Sequence, residues 1–138
     1  MISLQNFGEK DPIVEFANEL RKASDQDSRD LAKKLSPKMR VFAPIVVRGE
    51  EDKGVRLWEF GKEVYMELCS IAEDEDVQDY TDPVTGRDLT IETVGPDQSG
   101  RSFNKTTVRV RTKTTPLSEN SQEVQKWMTE QPEPFNLV

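Results

Sequence analysis

Between Lys38 and Lys62 the chain reads KMRVFAPIVVRGEEDKGVRLWEFGK, two runs of strand-forming residues on either side of a charged turn, with a glycine at the end that opens a helix. In the second run Arg56, Trp58 and Phe60 alternate with Val55, Leu57 and Glu59, so the two-residue period of a strand puts a cation, an indole and a phenyl ring on one face. A strand built for the core alone turns its aromatics inward and its charge outward. Arg beside Trp suits a flat π-bearing ligand held next to an anion, and nucleic-acid bases on a phosphate backbone meet that description.

The rest of the chain has to support that hairpin with little apolar material. Its 138 residues suit one domain and are short for two, and with 34% hydrophobic against 33% charged residues the expected core is small. A net charge of -7 argues against a polyanionic partner, because binding DNA means neutralising phosphates with Lys and Arg. The average hides a segregation. From Met66 to Asp97 the acids Glu67, Glu73, Asp74, Glu75, Asp76, Asp79, Asp82, Asp88, Glu92 and Asp97 face one base, Arg87. From Gln98 to Ser118 the bases Arg101, Lys105, Arg109, Arg111 and Lys113 face no acid at all. Such asymmetry points to a polyanion partner or to an autoinhibitory acidic surface.

Several chemistries are excluded or disfavoured. Cys69 is the single cysteine and histidine is absent, so one chain can build no disulfide framework, no Cys/His zinc site and no Ser–His or Cys–His catalytic pair. Cys69 falls on the apolar side of an expected helix and reads as a small buried hydrophobe. Asp79, Asp82, Asp88 and Glu92 could gather a divalent ion for a nuclease, but their spacing matches neither a calcium loop nor a recognisable acid pair. They read as solvated turn and strand residues. The expectation is a protein that is not an enzyme and uses no cofactor or metal. No signal peptide and no apolar run of membrane length is visible, so the expected location is cytoplasmic, with no membrane partner.

In chain order, Met1–Lys10 lacks a period and reads as an N-terminal arm. Asp11 is an N-cap with Pro12 at the first helical position, and Ile13, Phe16, Ala17 and Leu20 carry the helix to about Ser24. Asp27 or Ser28 caps a second helix bearing Leu31 and Leu35, stopped by Pro37, so residues 11–37 form a helical cap. Strands are expected at about Met39–Val47, Val55–Phe60, Leu89–Val94 and Thr106–Thr114, the first at an edge or bulge because of Pro44. A helix spans Lys62–Ala72 and should fray at the acidic run Glu73–Asp76, which opposes its dipole. A core of residues 11–118 then gives way to a C-terminal helix and tail at 119–138. Four or five strands around one internal helix suggest a mainly β fold with flanking helices, an OB-fold-like Greek-key barrel. The helix after strand two, rather than after strand three, departs from the simplest such layout.

The fourth strand sets Val108, Val110 and Thr112 against Thr107, Arg109, Arg111 and Lys113. Edge strands carry such cations simply to resist aggregation. The functional reading gains because Arg40, Arg48, Arg56 and Lys62 lie on the other hairpin, and a barrel would gather both patches and Lys105 around one groove. Trp58 and Phe60 also have core readings, Phe60 the more so because it can pack beneath the helix, and Tyr65 reads as structural. Phe103, between Ser102 and Asn104 in a loop, has little core to enter and makes a second stacking residue. The candidate nucleic-acid set is therefore Arg40, Arg48, Arg56, Trp58, Lys62, Phe103, Lys105, Arg109, Arg111 and Lys113. A protein-interaction module whose acidic surface docks a basic partner is the alternative that the charge pattern leaves open.

Three stretches together resemble a known family: Pro44-Ile45-Val46-Val47-Arg48; Gly54-Val55-Arg56-Leu57-Trp58-Glu59-Phe60-Gly61-Lys62 with its helix; and Thr81-Asp82-Pro83-Val84-Thr85-Gly86-Arg87-Asp88-Leu89. Over roughly Asp11 to Pro116 the chain is similar to phage single-stranded-DNA-binding replication proteins of the gene 32 type. The resemblance implies an OB-fold core that coats single-stranded DNA during phage replication, recombination and repair in the cytoplasm of the infected bacterial host. It implies contacts with other phage replication proteins and self-association along the strand. It also implies that Trp58, two residues before Phe60-Gly61-Lys62, stacks on bases. Where that family holds zinc through histidine and cysteines, including a Cys-Pro-x-Cys element, this chain has Asp11-Pro12-Ile13-Val14, so zinc is not expected. Apolar packing must hold the helices from Asp11 to Leu35 instead. Met1–Lys10 has no counterpart to the family's basic arm, and no long acidic tail follows Val138, as in a core fragment.

Overall fold

The computed structural model describes residues 2–134. Met1 and the end of the expected tail, 135–138, lie outside the described residues. The described chain divides into two compact units, one ending at Met39 and the other running from Arg40 to Pro134.

The first unit is a pair of helices, α1 (Pro12–Lys22) and α2 (Gln26–Leu35), preceded by a 3-10 turn at Leu4–Phe7 inside the stretch expected to be an arm. Asp11 ties turn and helix together. Its carboxylate accepts from the Ser3 hydroxyl at 2.6 Å and the Leu4 N–H at 3.2 Å, and from Ile13 N–H at 3.0 Å and Val14 N–H at 3.4 Å. Because Pro12 has no N–H, only those of Asp11, Ile13 and Val14 lack an intrahelical partner at the start of α1, and two of these three are thereby satisfied. The cap of α2 is Asp25, not Asp27 or Ser28: its carboxylate accepts from Ser28 N–H at 2.8 Å, so the helix starts earlier than its apolar residues suggest. Val14, Ala17 and Ala32 are the buried apolar positions, and the two alanines let the helices approach closely. Ile13, Phe16 and Leu31, expected on the packed stripe, are substantially exposed.

The second unit begins with β1 (Arg40–Ile45), which pairs antiparallel with β2 (Arg56–Gly61) in the register Val41↔Phe60, Ala43↔Trp58 and Ile45↔Arg56. Gly54 closes the turn at φ 66°, ψ −153°, a conformation that side chains resist. β2 runs directly into α3 (Lys62–Ala72). A second hairpin follows: β3 (Arg87–Val94), a one-turn helix α4 (Pro96–Ser99) and β4 (Lys105–Thr114), with Leu89↔Val110, Thr90↔Arg109 and Glu92↔Thr107 paired and a register shift between Arg87 and Leu89. Helix α5 (Ser121–Thr129), capped by Asn120, ends the unit.

The expected mainly β Greek-key barrel is not formed. Among the described residues the strands make two separate two-stranded sheets, and the fold is mixed α and β. The reason lies in α3, which packs against β4, β2 and β1 and covers apolar faces that a closing sheet would otherwise bury. Val64, Leu68 and Ile71 recur on one side of α3 and meet Phe60, Val41, Ala43 and Trp58 from the first hairpin and Val108 and Leu89 from the second. The acidic run after α3 does not simply fray. Val77 is buried, Val77 N–H bonds the Asp74 carbonyl at 3.0 Å, and Arg87 reaches back to the Asp76 carbonyl at 2.9 Å.

Candidate nucleic-acid interface

The face of β2 that carries Arg56, Trp58 and Phe60 is the core face. Phe60 is 5% exposed, and the Trp58 ring lies on it with centroids 4.4 Å apart and planes tilted by 46°. Trp58 is half-buried, neither sealed in nor free-standing. Arg56 at the open end of the same face pairs with Glu50, while its Nε is buried without a hydrogen-bond partner. The Lys53 ammonium, and after it the Arg56 guanidinium, hold the Glu50 carboxyl below its usual range.

Two further cations of the first hairpin are engaged within the chain. Arg40 pairs with Glu59 at 2.9 Å. Arg48 grips Asp88 through Nε and Nη2 at 3.1 and 2.9 Å, and donates to the Leu117 and Pro116 carbonyls at 2.7 and 2.8 Å. The planar fork of arginine suits this four-way contact, which fastens the first hairpin's turn to the start of β3 and to the segment after β4.

The second hairpin presents a different surface. Val108 on its inner side is 5% exposed, so alternation turns Lys105, Thr107 and Arg109 outward, and Arg111 and Lys113 beyond them are exposed as well. Arg109 pairs with Glu92 at 2.7 Å, and Arg111 Nε donates to the Thr90 hydroxyl at 3.1 Å. Thr90, Arg109, Val110 and Arg111 line a shallow open depression. Lys105 and Lys113 make no ion pair among the described residues.

The loop before β4 joins this surface. Phe103 is 50% exposed, and the Arg101 guanidinium stands 5.7 Å from its ring centroid. Arg101 also pairs with Glu63 at 3.5 Å, which brings the loop beside the first turn of α3 and its exposed first residue, Lys62. Arg101 was not among the residues expected at the site. Its signal was available in the sequence, a cation two residues before an aromatic within a loop.

The ten expected residues therefore do not line one wall. Lys105 and Arg109 share the outward side of β4, Arg111 and Lys113 are exposed farther along it where the register with β3 shifts, and Phe103 and Lys62 are connected to this surface through Arg101 and Glu63. Trp58 and Arg56 sit on the core face of the other hairpin, and Arg40 and Arg48 are held by carboxylates. The acids weighed as metal ligands are likewise engaged: Asp79 accepts from Thr81, Asp82 from the Val84 and Thr85 N–H groups, Asp88 from Arg48 and Glu92 from Arg109.

No curated protein and no solved structure matches the chain. A family model described as "gp32 DNA binding protein like" does, over residues 2–132, so that the match takes in the helix pair, both hairpins and the basic strand. On that span, nearly the whole sequence, the chain belongs to the gp32-like DNA-binding proteins.

Proposed function

We propose that this DNA-binding protein takes single-stranded DNA without reading its sequence, through the exposed side of β4 and the loop that leads into it. The observation that carries the reading is the row Lys105, Arg109, Arg111 and Lys113, exposed along one strand whose opposite side is anchored by buried Val108. Alternate residues of a strand stand about 6.8 Å apart, the scale of phosphate spacing in an extended single strand, and Lys105 and Arg109, with Thr107 between them, stand about twice that apart. Phe103 offers a π face beside them, and each stacked base would contribute on the order of 1 to 3 kcal/mol regardless of its identity. Trp58, tilted against Phe60 and half-buried, leaves less ring to a base than Phe103 does. In this reading the protein performs no catalysis. It coats and protects unpaired DNA during phage replication, recombination and repair in the cytoplasm of the infected host, associating with its own copies along the strand and with other replication proteins.

The test is a titration with unstructured oligonucleotides over a salt series, read by tryptophan fluorescence beside the Trp58→Phe variant. Trp127 is 6% exposed and should respond little. With about five phosphates neutralised, by Lys62, Lys105, Arg109, Arg111 and Lys113, log K should fall against log salt with a slope of roughly -3.5. Charge reversal at Arg109 and Arg111 should abolish binding. Unchanged affinity in that variant, or a preference for duplex, would overturn the reading and favour docking of a basic protein on the acidic surface.

A further inference from the structure

An ion pair stands on the β3–β4 surface, between Glu92 and Arg109. Glu92 is the one carboxylate among the described residues that forms a salt bridge with a β4 side chain, at 2.7 Å to Arg109 Nη2, and both partners are more than half exposed. In the register of the hairpin Glu92 stands opposite Thr107 and Thr90 opposite Arg109, so the carboxylate reaches Arg109 diagonally across the strands. Arg111, its neighbour in the row, bonds a neutral hydroxyl, and Lys105 and Lys113 bond no acid. Carboxylate and phosphate compete for the same guanidinium fork, and an arginine already holding one must release or share it to take the other. We propose that Glu92 is a resident competitor for phosphate, which keeps Arg109 occupied in the free protein and limits how tightly and how long this strand holds DNA. The inference rests on the proposed single-stranded-DNA reading and specifies how that site is tuned. The competition is local: an exposed cross-strand pair is weak enough to be exchanged for phosphate, yet it lies within the cationic row and not at its rim.

The experiment measures oligonucleotide affinity and dissociation rate for the wild type, Glu92→Gln, Arg109→Gln and the double variant, with Glu19→Gln on the exposed side of α1 as a control of equal charge change. Glu92→Gln should bind roughly two- to five-fold tighter at low salt, the range set by an exposed ion pair. It should also dissociate more slowly, because no carboxylate remains beside Arg109 to reclaim it from phosphate. In the Arg109→Gln background the same substitution should lose most of that gain, and Glu19→Gln should show none of it. Equal gains with and without Arg109 would mean that Glu92 acts only through net charge, and that overturns the proposal. So does a Glu92→Gln protein that binds no tighter than a wild type that itself binds. A wild type that binds no oligonucleotide at low salt overturns the underlying reading and this inference together, an outcome distinct from the other two. Thermal melts of each variant separate any loss of folding from a change at the site.

Discussion

Arg48 in the turn of the first hairpin and Arg109 within β4 have the same side chain, and the structure uses them in different ways. Arg48 directs its guanidinium at Asp88 and two main-chain carbonyls from elements far along the chain, so removing it leaves those acceptors unpaired. Arg48→Gln should cost about 1 to 2 kcal/mol in chemical denaturation, discounted for partial exposure, because charge-assisted bonds at a half-open site are screened. Its oligonucleotide salt slope should match that of the wild type. A flatter slope would show that Arg48 contacts phosphate after all. Trp58 gives the same lesson for an aromatic. Alternation with Leu57 and Glu59 assigns it correctly to the face of Phe60, and nothing local says that this face turns to the core, because Val64, Leu68 and Val108 cover it from elsewhere in the sequence.

At the scale of elements, the Asp11 cap and the turn at Asp82 were legible in the sequence, the Asp25 cap of α2 was not, and the first two carry pH dependence. The Ser3 hydroxyl, with the Val14, Ile13 and Leu4 N–H groups, holds the Asp11 carboxyl below its ordinary value of 3.8 against a partial opposing effect of burial. A folded pKa lowered in this way gives stability that is present above the ordinary value and is lost as pH falls through the lowered one. Asp11→Asn should therefore melt at a lower temperature than the wild type at about pH 7, and the difference should close as pH is taken down to about 2. A gap that stays constant across the series would mean that the carboxylate charge is not what the cap uses. Asp82 works similarly in the turn before β3, held low by the Thr85 and Val84 N–H groups. In that turn the Gly86 N–H bonds the Asp82 carbonyl at 2.9 Å, and a Cβ at Gly86 would overlap that oxygen and stand 2.6 Å from the Tyr80 carbonyl. Gly86→Ala should destabilise the protein by about 1 to 3 kcal/mol, measured by chemical denaturation, since backbone on both sides leaves little room to relax. A cost below about 0.5 kcal/mol, the ordinary range for surface changes, would mean that the turn opens freely.

For the whole molecule, the sequence by itself determined the succession of elements, the two hairpins, the helix that follows Gly61, the separation of acidic from basic stretches and the likeness to gene 32 type proteins. These follow from periods of two and of 3.6, from capping residues and from charge order, all properties of neighbours in the chain. Only the tertiary structure decided that the hairpins stay separate sheets around α3 instead of closing a barrel, that the Trp58 face lies inward and the β4 cations outward, and which arginines are taken by carboxylates. Burial and ion pairing depend on what arrives from far along the sequence, as when Arg48 meets Asp88 forty residues on or Arg101 meets Glu63 across the unit. Alternation can divide a strand into two faces, but which face loses its water is settled by the element that comes to cover it.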